Sequence, residues 1–228
     1  MESKVRRGIL FGVLIIIVSA CSKTTPQPVT PVSTMGFFHA APNEKLVNVF
    51  MDNTQINSTS FEYASYSGSI TVPSGDRVIK FTSVASGSKL VDTTVHLIEN
   101  KSYTLYLIYK QSSTKTLATL DEGTLTNPTT DVMIRFVHLS SDTPAAYVVL
   151  TGETSPFFTP QTFQQSSAFK EVISKSYSFE VRASIDSHVI ATASVVPKAG
   201  FYYTIVLLGL SSPPAGGSGK VSAQVVSN

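Results

Sequence analysis

The chain has 228 residues, of which 14% are charged, with a formal net charge of +2 and a single cysteine. Lys4, Arg6 and Arg7 against Glu2 account for the whole excess, so the chain beyond residue 20 is neutral. With no basic cluster downstream and no second cysteine, this excludes a nucleic-acid footprint and a disulfide framework, and leaves core burial as the source of stability.

The first element is a targeting signal. The basic n-region Lys4–Arg7 precedes an apolar run, Gly8–Val18, of about 11 residues, too short for a membrane span. Val18–Ser19–Ala20–Cys21 then resembles the lipobox of bacterial lipoproteins. The resemblance implies a signal peptide over 1–20, cleavage before Cys21, and lipidation of that cysteine as the membrane anchor. Ser22 and Lys23 follow, without the aspartate that resembles an inner-membrane retention signal. The expected location is therefore the cell envelope, at the outer membrane, with either face open. Residues 21–34 carry Pro26, Pro28 and Pro31 among Thr and Ser. They read as an extended tether that reaches roughly 35–40 Å at ~3 Å per residue.

From residue 35 the chain repeats itself at a separation near 100 residues. Gly36–Ala41 matches Arg135–Ser140, Val47–Asp52 matches Ala146–Thr151, Arg77–Phe81 matches Tyr177–Val181, and Glu99–Leu105 matches Lys198–Ile205 with one slip. A period that long predicts two tandem units over 35–122 and 131–228, joined by a linker at 123–130. Val47, Val49 and Met51 alternate with Asn48, Phe50 and Asp52, Tyr177, Phe179 and Val181 alternate with Ser176, Ser178 and Glu180, and Thr104–Tyr109 is rich in β-formers. No segment after the signal sustains a 3.6-residue period. The predicted fold is all-β: two tandem immunoglobulin-like β-sandwich domains of about seven strands each.

Arg135–Phe136–Val137–His138–Leu139–Ser140–Ser141–Asp142–Thr143–Pro144, with the strand Ala146–Leu150, resembles the opening motif of DUF4397 domains; Ser141 replaces the motif's first proline. His39–Ala40–Ala41–Pro42 in the first unit keeps that proline and lacks the second. Tyr103–Leu105 and Ala199–Ile205 resemble the family's closing turn and strand. The resemblance implies a fold over roughly 35–225 and carries no activity.

Candidate chemistry is sparse. His138, Ser140, Ser141 and Asp142 hold all three residue types of a hydrolase triad, yet neighbours this close do not form the relay, and a Gly-x-Ser-x-Gly elbow is missing. They read instead as a turn. His39 and His138 occupy equivalent positions, read as structural strand-end histidines. No metal-ligand spacing or cofactor fingerprint occurs, so neither a metal nor a cofactor is expected. Phe157 and Phe158 lie between Pro156 and Pro160; since neighbours on a regular strand face opposite sides, one of them is a candidate contact residue, against a loop that covers both. Tyr63 and Tyr66 are candidates for a sugar-stacking platform, with core packing the default. Asp92–Thr93–Thr94 resembles an O-glycosylation acceptor of some bacteria.

The expected function is that of a non-enzymatic, lipid-anchored envelope protein, an interaction or spacer module whose partners are the membrane, through Cys21, and an envelope protein or glycan. The alternatives are a glycan-binding accessory lipoprotein and a hydrolase with a site at the domain interface.

Overall fold

The computed structural model describes residues 30–110, 113–213 and 219–228. The expected signal peptide, Cys21 and most of the expected tether lie outside the described residues.

The first half carries β1 (Val32–Ala40), β2 (Leu46–Met51), β3 (Thr54–Gln55), β4 (Phe61–Glu62), β5 (Tyr66–Pro73), β6 (Gly75–Ser83), β7 (Lys89–Leu97), β8 (Ser102–Lys110) and β9 (Ser113–Leu120). The second carries β10 (Asp131–His138), β11 (Ala146–Leu150), β12 (Pro156–Gln161), β13 (Lys170–Ile173), β14 (Tyr177–Ala183), β15 (Val189–Val195), β16 (Tyr202–Leu208) and β17 (Ser222–Ser227). The chain is all-β, and its sheets pack as sandwiches of the immunoglobulin-like kind.

Sheet order is the same in both halves. One sheet runs β5-β1-β8-β9 in the first and β13-β10-β16-β17 in the second; the other runs β3-β2-β6-β7, with β4 also on β2, and β12-β11-β14-β15. Most neighbours are antiparallel, but β1 pairs with β8, and β10 with β16, in parallel. Strand β1 begins at Val32, which pairs with Pro73, three residues inside the segment expected to be tether. Past Pro31 the residues are free to donate to a ladder and favour one.

Alternation builds each core. Val47, Val49 and Met51 of β2 join Ile79, Phe81 and Leu105 in the first. Val148, Tyr177, Phe179, Val181 and Ile205 do so in the second. The central strands depart from the half-buried pattern: β8 is buried continuously from Tyr103 to Ile108, and β10 from Val132 to His138. Both faces of these strands are covered. Their inner residues point into their own sandwich, while Phe38, Ala40, Tyr106 and Ile108 from one half meet Val137, Leu139, Val206 and Leu208 from the other, none more than 2% exposed. The two sandwiches thus share a third apolar core, a seam between the β1/β8 sheet and the β10/β16 sheet.

The halves stand side by side and point the same way. Arg135, near the start of β10, reaches Leu120 at the end of β9, beside the start of β8. At the other end Gly219, after β16, lies so close to Pro42 that an added Cβ would fall 2.3 Å from its ring.

Candidate functional site

Arg135 is the one long cation in the run Val132–Leu139, and its side chain points into the seam. Burying a guanidinium requires an anionic partner and full use of its donors. Asp121 supplies the charge at 2.6 Å, with the two side chains 2% and 7% exposed. Nε donates to Thr204 Oγ1 at 3.0 Å, Nη2 to the Tyr106 hydroxyl at 3.1 Å and Nη1 to the Leu120 carbonyl at 3.4 Å. The ring of Phe169 lies 4.6 Å from the guanidinium carbon, a cation–π contact. Asp121 in turn accepts from Thr104 Oγ1 at 2.6 Å, Thr119 Oγ1 at 3.2 Å and Asn228 Nδ2 at 3.2 Å. Burial pushes the Tyr106 phenol above its ordinary pKa, so it stays neutral beside the pair.

The network obeys the repeat. Thr104 donates to Asp121 as Thr204 donates to Asn228, at 2.8 Å, and Asp121 and Asn228 donate their backbone N–H to Ser102 and Tyr202 respectively. Gly36 stands where Arg135 stands: an added Cβ there would meet the Tyr66 hydroxyl at 2.2 Å, so only glycine admits the Tyr66 ring.

A groove of about 630 Å³ opens beside this network, at the end where β1 begins. Thr34, Asn100, Ser102 and Tyr202 line it, together with Lys101 and Glu122, which pair with each other. The Tyr202 hydroxyl donates to the Gly123 carbonyl at 2.8 Å. Hydroxyls, amides and self-compensated charges suit a neutral polar ligand better than an ion.

The residues singled out by sequence fall elsewhere. Tyr63 and Tyr66 form no exposed platform, because both pack against the seam. The Tyr63 hydroxyl is buried without a partner among the described residues, and burial pushes its pKa up to about 12. Phe157 and Phe158 are not split between core and solvent. The register of β12 on β11 slips at Val148/Val149, and that bulge turns both rings inward. Phe158 is 6% exposed, and Phe157 lies 5.5 Å from Phe179 under the Lys170 ammonium.

His39 and His138 are fully buried. Nδ1 of His39 accepts from the Ala41 N–H at 3.3 Å, and its Nε2 has no partner among the described residues. Burial lowers its pKa to about 4, the backbone of Glu44 countering in part. His138 donates from Nε2 to the Pro144 carbonyl at 3.0 Å and is also lowered by burial. Asp142 does not turn toward His138. Its carboxylate takes the N–H groups of Ser211 and Ser212 at 2.8 and 3.0 Å. Burial raises its pKa, but these bonds outweigh that and leave it low. The stretch after β10 is a clamped turn, and the His138 ring bonds to the Pro144 carbonyl and the Thr143 hydroxyl and to no serine among the described residues. Thr93 lies in β7 opposite Ile79. Among the described residues no three His, Cys, Asp or Glu side chains gather as a metal site.

Sequence reasoning missed Arg135, Asp121, Thr104, Thr204 and Asn228 as one network. The available signal was a lone cation inside an eight-residue run that is otherwise apolar apart from His138. A comparison with curated proteins returns no match. A family model does match, over residues 33–149, from β1 through β11 and across the seam residues Asp121 and Arg135. On that match, which spans just over half of its length, the chain belongs to the family described as Domain of unknown function (DUF4397).

Proposed function

We propose that this protein is a non-enzymatic, lipid-anchored component of a bacterial cell envelope, held at the outer membrane through Cys21 and built from two DUF4397-type sandwiches that act as one rigid interaction or spacer block. The observation that carries this reading is the seam. A shared apolar core and a buried, hydrogen-bonded ion pair fix the halves together, where an ordinary linker would leave them to move independently. The chain enters this block at Val32, at one end, about 11 residues after Cys21, which suits a body held off a bilayer by a short tether.

Anchoring is tested by fatty-acid labelling in cells. The wild-type chain takes up label and fractionates with membranes, while Cys21→Ala does neither; equal labelling of the variant overturns the reading.

The second reading is a glycan-binding accessory lipoprotein. It is favoured by the polar groove of about 630 Å³ with the Tyr202 ring on its wall. A glycan array with the purified chain, repeated with Tyr202→Ala and Asn100→Ala, tests it. Binding lost in both variants supports the groove, and binding unchanged in both excludes it.

A further inference from the structure

Each sandwich has a lateral gap between its two sheets, and the repeat aligns the two gaps residue by residue. Met35 of β1 pairs with Ile70 as Ile134 of β10 pairs with Lys170. The Val49 carbonyl accepts the Ile56 N–H at 2.9 Å, and Val148 pairs with Phe158. Ile70 and Lys170 therefore hold the same place, as do Ile56 and Phe158.

In the second half the gap is plugged from within. Phe158 fills the core and packs edge-on to Phe157 at 4.9 Å, and the Lys170 ammonium closes the side 4.3 Å above the Phe157 ring. In the first half the counterpart of β12 is split into β3 and β4. Ile56 continues the β3 register without a bulge, so no residue takes the place of Phe157. Asn57 holds this broken edge by accepting the Val49 N–H on Oδ1 at 2.7 Å. What remains is a cavity of about 340 Å³ walled by Phe37, Val49, Ile56, Phe61 and Ile70.

We propose that this slot in the first sandwich binds an aromatic side chain of a partner polypeptide. The second half shows what such a gap accepts: phenyl rings carried on an extended segment at the sheet edge. The slot offers apolar and aromatic walls to a ring, and at its mouth exposed Ser58 and Thr59 offer hydroxyls to the peptide groups beside that ring. A site of this kind stands apart from Cys21 and does not depend on lipidation.

The test is a titration of ¹⁵N-labelled protein spanning residues 21–228, which keeps every described residue, with N-acetyl-phenylalaninamide, followed by amide shifts. The expected result is saturable shifts confined to the neighbourhood of Ile56, Ser58, Ser67 and Ile70, with a Kd on the order of 1 mM for so small a probe. N-acetyl-leucinamide should bind about fivefold or more weakly, since it lacks the ring. Ile56→Phe, which sets a ring at the place of Phe158 and fills the slot from its wall, should abolish the shifts. Ile70→Asp, at the exposed mouth, should weaken binding with the rest of the spectrum unchanged, and it decides the matter if the plug variant misfolds. The proposal is overturned by an absence of saturable shifts at these amides, by shifts that neither variant alters, or by equal binding of the leucine compound. Tighter binding of benzyl alcohol than of the phenylalanine compound would make the occupant a free aromatic molecule and sink the polypeptide assignment.

Discussion

The two halves share one sheet order and differ at three matched places, and each difference shows how a duplicated fold acquires asymmetry. At the seam, Gly36 makes room for a tyrosine where Arg135 sends a cation across. At the strand end, Asn228 is neutral where Asp121 is charged. At the lateral gap, Ile56 leaves open what Phe157 and Phe158 fill. One copy supplies the acid and the other the base, so the seam holds a complementary charge pair between the halves.

The largest break in this comparison comes from removing one member of that pair. Arg135→Ala or Asp121→Ala leaves a buried charge unpartnered and should cost about 3–5 kcal/mol in denaturant unfolding. Replacing both together, Arg135→Met with Asp121→Leu, should recover most of that loss. A double variant no more stable than either single one would show that the seam depends on the hydrogen-bond network and not on charge balance.

Acid should act next. The folded His39 has a pKa near 4 against about 6.5 when unfolded, so the unfolded state binds more protons between those values. Stability is then full above about pH 6.5 and falls as the pH drops toward 4, by about 3 kcal/mol for this residue. His138 adds to the loss in the same direction. Urea titrations over that range should show the slope, and His39→Gln should flatten it; an unchanged slope would place the acid sensitivity elsewhere.

Gly36→Ala tests the other side of the seam. The new methyl collides with the Tyr66 ring, and overpacking of this kind costs about 1–3 kcal/mol. Tyr66→Ala in the same chain should remove the clash and reduce the added cost of Gly36→Ala toward zero.

The smallest effect lies in the matched hairpins. Gly87 and Ser187 both have positive φ, 69° and 61°, and both donate to the residue four back. Ser187→Gly should gain, and Gly87→Ser should lose, up to about 1 kcal/mol. Melting temperatures moving in opposite directions would show that the two turns are equivalent in energy as well as in shape.

Strands were legible where one face met water and the two-residue alternation was regular. Val47–Met51 and Tyr177–Val181 alternate in sequence and in burial alike. Legibility failed where both faces are covered. Thr104–Tyr109 read as a strand, but nothing local told that its second face meets another sheet. Asp121, placed at the close of the first unit next to the linker, resembles any solvated acid until Arg135 arrives from 14 residues on. The Phe157–Phe158 pair defeated the two-residue period because a bulge had changed it locally. Periodicity speaks for a regular ladder seen from one side, and these sites are the exceptions to it.

The place where the chain enters has a mechanical meaning. Val32 opens β1, a strand held on one edge by β5 and on the other by β8. Tension arriving along the chain pulls β1 lengthwise, nearly at right angles to the hydrogen bonds of its antiparallel ladder and across the slanted bonds of its parallel one. Under such a load the bonds on both edges share the force and must shear together, instead of peeling away one at a time. Parallel pairing with β8, rather than a hairpin, lets a strand at the start of the block sit in the middle of a sheet, where a pull on it is resisted from both sides.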